Sequence, residues 1–152
     1  LYEASHNVST VWYAGSIISF ISFLGGFLLF FKLRDNESVI YLNISSKEGL
    51  NRNRLTSEGV VELEVLLKEN RFLEFLNISG TNLKNEGLKT IIKGLNENNI
   101  LHTLNLSNNK ISDVAIILSE CVSIENLMIS KNFITSINFK KQLKNLVKLI
   151  AF

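Results

Sequence analysis

The sequence predicts an α/β solenoid, in which short parallel strands alternate with outer helices, preceded by a single membrane-spanning helix. Residues 59–73 recur as residues 87–101, with glycine, leucine or isoleucine, and asparagine at matching positions and a displacement of 28. A fixed period of this size is the signature of a solenoid. Five segments with a shared apolar pattern supply the strands. A long uncharged run near the N-terminus supplies the membrane helix.

The uncharged run covers residues 12–31 and predicts a transmembrane helix. At about 1.5 Å per residue it spans roughly 30 Å, the thickness of the hydrocarbon core of a bilayer. Lys32 and Arg34 follow it, whereas the flank over residues 1–11 has no Lys or Arg. This asymmetry places the flank outside, and the linker 32–38 and the repeats on the cytoplasmic or matrix side. A cleaved signal peptide and a buried core helix are the alternatives.

Small side chains are predicted to line one stripe of that helix. Gly15, Ser19, Ser22 and Gly26 are spaced by 4, 3 and 4 residues. Small residues let helices approach closely in lipid, where packing drives association. We therefore predict helix packing along this stripe. The alternative is that glycine and serine are simply common in membrane helices.

The segment over residues 39–152 is predicted to form about four to five repeats, each opened by a strand. The apolar residues stand at positions 1, 4 and 6 of each strand segment, so they point into one shared core, and the residues between them point outward. These segments are Val39–Ile44, Leu73–Ile78, Leu101–Leu106, Ile124–Ile129 and Leu146–Ala151.

The clearest repeat follows the pattern L-x-x-L-x-L-x-x-N-x-L, with Leu101, Leu104, Leu106, Asn109 and Ile111 at the specified positions. This sequence pattern resembles the consensus of the leucine-rich repeat family, and the resemblance covers about residues 39–152. The family implies that the asparagine bonds backbone groups at the bend after each strand and so forms a ladder. Asn132 takes this position in the next repeat, and Thr81 and Lys47 take it in the earlier ones, where the ladder is expected to weaken.

Repeat length predicts where the outer helices lie. The repeats that begin at residues 39 and 73 are 34 and 28 residues long and have room for a helix, whereas the next two are 23 and 22. Ser57 and Asn85 are predicted to cap these helices at their N-termini. Asn70 and Asn98 are predicted to end them in a left-handed turn.

The composition excludes several classes of chemistry. The net charge is +2, which is not typical of a nucleic-acid-binding protein, and one cysteine permits no intrachain disulfide. Cys121 takes a leucine position and is predicted to be a core residue. His6 and His102 fall on opposite sides of the predicted membrane helix. The sequence therefore predicts no catalytic, cofactor-binding or metal-binding residues and no enzyme activity.

The resemblance implies a binding surface on the outward strand positions, because the concave strand surface is the usual partner-binding face of this family. Two columns of residues form it here. The predicted partner-binding residues are Tyr41, Phe75, Asn77, Thr103, Asn105, Asn126, Met128 and Lys148.

The chain has no acidic residue after Glu125 but retains several lysines. Lys140, Lys141 and Lys144 could contact anionic lipid headgroups or an acidic subunit. A solvated lysine surface is an equal alternative.

Together these features predict a non-catalytic accessory or scaffold subunit of a multi-protein membrane complex. It would bind other subunits through the strand surface and the membrane helix, and it would need no cofactor or nucleic acid. Accessory proteins of the leucine-rich repeat family occur around mitochondrial respiratory and ATP-synthase complexes, so the resemblance suggests the inner mitochondrial membrane. The alternative is a membrane-anchored receptor or adaptor that recognises a transient protein ligand.

Overall fold

The computed structural model describes residues 11–13, 39–46, 53–114, 121–135 and 146–151. Within these ranges it contains six short strands and two helices. The strands are β1 (Val11–Tyr13), β2 (Tyr41–Asn43), β3 (Phe75–Asn77), β4 (Thr103–Asn105), β5 (Asn126–Met128) and β6 (Lys148–Ile150). The helices are α1 (Ser57–Glu69), between β2 and β3, and α2 (Lys84–Asn96), between β3 and β4.

The strands form one parallel sheet in the order β1-β2-β3-β4-β5-β6. Each strand pairs with the next one along the chain, and the middle residues of all six strands align in a single row. Parallel neighbours need a crossover connection, which α1 and α2 supply for the central strands. This arrangement confirms the predicted α/β architecture of parallel strands with outer helices.

The core lies beneath the sheet, where the apolar positions 1, 4 and 6 of the repeats meet. The middle residues Leu42, Leu76, Leu104 and Leu127 are at most 1% exposed. Each such burial contributes roughly 1.5–3 kcal/mol to stability. Cys121, 8% exposed, packs in the same cluster, which confirms its prediction as a core residue.

The N-terminal cap of α1 lies one residue earlier than predicted. Thr56 has extended backbone angles and its Oγ1 accepts a hydrogen bond from the Gly59 N–H at 3.2 Å, whereas Ser57 is the first helical residue. Hydrogen bonds from its own backbone N–H and from the Thr56 side chain lower the pKa of Glu58 in this first turn. Asn85 lies inside α2 and bonds Ser112 of the next repeat instead of capping the helix.

The helix ends also differ from the prediction, because Asn70 and Asn98 act through their side chains. Asn70 has φ −70° and ψ 134°, which is extended and not left-handed. Its Oδ1 accepts from the N–H groups of Phe72 and Leu73, the latter at 2.7 Å. Asn98 makes the matching bonds and also donates from Nδ2 to the Leu67 carbonyl at 2.7 Å. These amides close the helix ends, and Asn98 joins neighbouring repeats.

The prediction that a membrane helix begins at Trp12 is wrong. Trp12 and Tyr13 lie in β1 and pair with Leu42 and Asn43 of β2, so their backbone is extended and part of the sheet. No helix in the described ranges is long and apolar enough to cross a membrane. The remainder of the run, with Gly15, Ser19, Ser22 and Gly26, lies outside the described residues.

Candidate protein-interaction face

The bends that follow the strands are held by a ladder of polar side chains. Asn109 donates from Nδ2 to the Ile78 carbonyl at 2.8 Å and to the Leu106 carbonyl at 3.1 Å. Its Oδ1 accepts from the Leu83 N–H at 3.1 Å and from the Thr81 hydroxyl at 3.2 Å. The asparagine thus bonds its own repeat and the preceding one. These bonds set the spacing between the two repeats.

Asn132 continues the ladder by donating to the Leu106 and Ile129 carbonyls and accepting from the N–H groups of Asn109 and Ile111. Thr81 is fully buried and donates to the Ile78 carbonyl as well as towards Asn109.

In the earliest of these repeats the ladder position belongs to Asn53, not to Lys47. Asn53 precedes Thr81 by 28 residues, just as Thr81 precedes Asn109. It is 4% exposed, and its Nδ2 donates to the Ser45 carbonyl at 2.8 Å. The additional length of this repeat lies between the strand and the bend, so counting directly from the strand reached the wrong residue.

The side of the sheet that faces away from the core forms a surface that we call the strand face. Its central column holds Tyr41, Phe75, Thr103, Asn126 and Lys148, and its amide column holds Asn43, Asn77, Asn105, Met128 and Ile150. All eight predicted partner-binding residues therefore lie in these two columns. Their role in binding stays a prediction.

An aromatic pair occupies the N-terminal part of the central column. The rings of Tyr41 and Phe75 stack with centroids 4.2 Å apart and an interplanar angle of 12°. Both side chains are half-buried, so one ring surface of the pair is shielded by the protein while apolar area remains accessible. Such rigid, partly exposed aromatics are typical anchor residues of protein interfaces.

Polar contacts organise the middle of the strand face. His102 places Nε2 3.4 Å from Glu74 Oε2 and Nδ1 3.1 Å from the Thr103 hydroxyl. Asn126 donates from Nδ2 to the same hydroxyl at 3.3 Å. The sequence predicted that His102 points outward. It did not single out a third column, the acidic column, which holds Ile40, Glu74, His102, Glu125 and Val147.

The C-terminal end of the strand face is more apolar. Val147 is 80% exposed, and the Met128 and Ile150 side chains are partly exposed beside Lys148. The face therefore passes from aromatic, through polar and acidic, to apolar and basic. A surface this varied fits another protein better than a single small molecule.

The described part of the chain shows no candidate metal centre. No group of histidine, cysteine and carboxylate side chains within it could hold a metal ion. A cleft of about 700 Å³ lies at the N-terminal ends of the two helices, where Arg54, Glu58, Lys84 and Glu86 line it. Its charges alternate in sign, so it does not favour one class of ion. Lys140, Lys141 and Lys144 lie outside the described residues.

This geometry defines a repeat protein with a sheet of aligned parallel strands. The family model described as Leucine Rich repeat matches residues 69–91 and 97–117, from the end of α1 to just beyond β4. The match supports leucine-rich repeats in this part of the chain, in agreement with the sequence pattern of residues 101–111.

Solved structures extend the similarity beyond these repeats. The leiomodin-1 actin-binding site 2 (ABS2) matches with a TM-score of 0.61 and 16% identity, over 81% of this chain and 76% of that chain. At this identity the similarity shows the fold alone. No curated protein matches the chain.

Proposed function

We propose that this protein is a non-catalytic interaction module that holds a protein partner on the strand face. The observation that carries the proposal is the unbroken register of β2 to β6, which aligns aromatic, amide and apolar side chains in two columns, with the acidic column directly before the strands. The ladder beneath fixes their spacing, so little entropy is lost when a partner binds. The similarity to an actin-binding segment of leiomodin-1 supports the fold and not actin as the partner.

Photo-crosslinking tests this proposal. With benzoylphenylalanine at position 103 on the strand face, we expect one abundant adduct, whose partner is then identified by mass spectrometry and purified. The same probe at Lys93, which is exposed on α2, should give no such adduct. Adducts formed equally well from both positions would contradict the proposal.

Point variants make the same test quantitative. Phe75→Ala removes half of the aromatic pair and should weaken binding of the purified partner about tenfold, as expected for an aromatic anchor. Phe72→Ala is the matched control, because Phe72 is 36% exposed and precedes β3 on the connecting loop. Isothermal titration should show equal affinities for this control and the unmodified protein.

A narrower form of the proposal makes the protein an accessory or scaffold subunit of a membrane complex, for which the inner mitochondrial membrane is one candidate. Only the uncharged run over residues 12–31 and the lysines that follow residue 139 support it. The receptor or adaptor alternative shares this support.

Vesicle flotation tests the membrane association. The chain over residues 1–152 should float with liposomes that contain anionic lipid, and residues 39–152 alone should float less. If both remain in the dense fraction, the narrower proposal fails and the interaction module stands.

A further inference from the structure

Three asparagines of the amide column share one side-chain arrangement. The Oδ1 atoms of Asn43, Asn77 and Asn105 each accept a hydrogen bond from the backbone N–H of the serine two residues later, at 3.1, 3.0 and 3.0 Å. Because Oδ1 is committed, the orientation of each amide is set. The Nδ2 groups form no hydrogen bond with the described residues, and the side chains are partly exposed. They present a row of hydrogen-bond donors.

The spacing of this row follows from the sheet. Asn43, Asn77 and Asn105 are direct register partners on neighbouring strands. Adjacent strands lie about 4.8 Å apart, so the donors fall at about 0, 5 and 10 Å across the strands.

The acidic column has the opposite character. Glu74 and Glu125 are exposed, and His102 lies between them. This column lies directly before the strands and three residues earlier in each repeat than the amide column, which separates the two by about 10 Å in extended backbone. The aromatic pair lies between them. At β3 the strand face is therefore acidic on one side, apolar in the middle and donor-rich on the other, and Thr103 and Asn126 continue the middle with polar side chains.

We propose that the partner places an α-helix across the strands. Residues i, i+3 or i+4, and i+7 of a helix rise by about 5 and 10 Å, in step with the three donors, and a helix is about 10–12 Å wide, like the column separation. Same-side residues of an extended chain repeat every 6.7 Å or so and would miss the third donor. The helix would carry oxygen acceptors towards the amide column and Lys or Arg towards Glu74 and Glu125.

This inference rests on the proposed function, and a pair of synthetic peptides tests it separately. The first is an alanine-based peptide of about 21 residues, long enough to be helical, with Asp at i, i+4 and i+7, a leucine ridge and an opposing lysine stripe. The second has the same composition in alternating order, so that its stripes form only in an extended chain. Fluorescence anisotropy should show binding of the first peptide alone. Equal binding of both, or binding of neither, would overturn the proposal.

Variants of the amide column check the predicted contact. Asn77→Asp with Asn105→Asp keeps the oxygen that accepts the serine N–H but removes two donors, and should weaken binding of the Asp peptide at least about tenfold. The double variant should in turn bind a peptide with Lys in place of Asp, which excludes misfolding as the cause. Asn99→Asp, at an exposed loop position, is the charge-matched control and should not change the affinity.

The two proposals can fail independently. If position 103 still crosslinks a partner while the peptides do not discriminate, the interaction module stands and the helix inference falls. If position 103 gives no specific adduct, the strand face itself is not the binding surface.

Discussion

Replacing Asn109 with alanine is expected to lower the free energy of unfolding by about 3 kcal/mol, because a buried polar group left without a partner costs roughly 1–3 kcal/mol and each further lost hydrogen bond about 0.5–1.5 kcal/mol. Asn109 is fully buried, and its side chain makes hydrogen bonds within its own repeat and to the preceding one. Alanine would leave the Leu83 N–H without its 3.1 Å acceptor, and the Ile78 carbonyl would keep only the hydrogen bond from the Thr81 hydroxyl.

Urea unfolding followed by circular dichroism measures this effect. Asn99→Ala is the matched control, since Asn99 is exposed and the same atoms are removed. It should change the free energy by less than about 0.5 kcal/mol. Similar losses in the two variants would show that the ladder does not hold the repeats together.

Gly94→Ala should be the most damaging substitution on the helices, at a cost of about 2–3 kcal/mol from overpacking. A Cβ at Gly94 would lie 2.3 Å from the backbone oxygen of Glu64 and 3.0 Å from Leu67 Cβ. A backbone oxygen cannot rotate away, so α2 would have to move off α1. The gain of roughly 1 kcal/mol in helix propensity is too small to compensate.

Gly59→Ala provides the control with the opposite sign. Its Cβ would meet its nearest neighbours, in Leu55 and Thr56, at 3.6 Å, which is ordinary contact. The variant should therefore gain about 0.5–1 kcal/mol from helix propensity. Thermal melting should show Tm falling for Gly94→Ala and rising for Gly59→Ala. If Tm fell for both variants, the loss at Gly94 could not be attributed to overpacking at that position.

The sequence was sufficient to predict the five strands β2 to β6 and two of the three columns of the strand face. Alternation is strict around the middle leucines, so Leu76 and Leu104 had to point inward and Phe75 and Asn77 outward. The 28-residue period then aligned the strands without a shift. Both conclusions depend only on local geometry, which side-chain pattern reports directly.

Long-range partners could not be predicted in this way. Asn53 was missed because additional residues separate it from the strand of its repeat, so that its distance from the strand differs from that in the other repeats. The side-chain roles of Asn70 and Asn98 were missed because an asparagine after a helix is compatible with both a left-handed turn and a side-chain cap. Which one forms depends on backbone groups of the neighbouring repeat, which a single sequence does not place.

The run over residues 12–31 shows the limit of hydropathy. An apolar composition indicates that side chains avoid water, but it does not show whether lipid or protein buries them. Trp12 was therefore assigned to a helix, although its backbone pairs with Leu42 in the sheet.

The ladder has a mechanical consequence. Asn109 bonds carbonyls on both sides of the boundary between repeats, and Asn132 does the same at the next boundary. A repeat in the middle cannot detach without breaking bonds at both of its boundaries, whereas a terminal repeat breaks them at one. Under tension the chain should therefore unravel from its ends inward, one repeat after another, while the middle keeps its length and transmits the load.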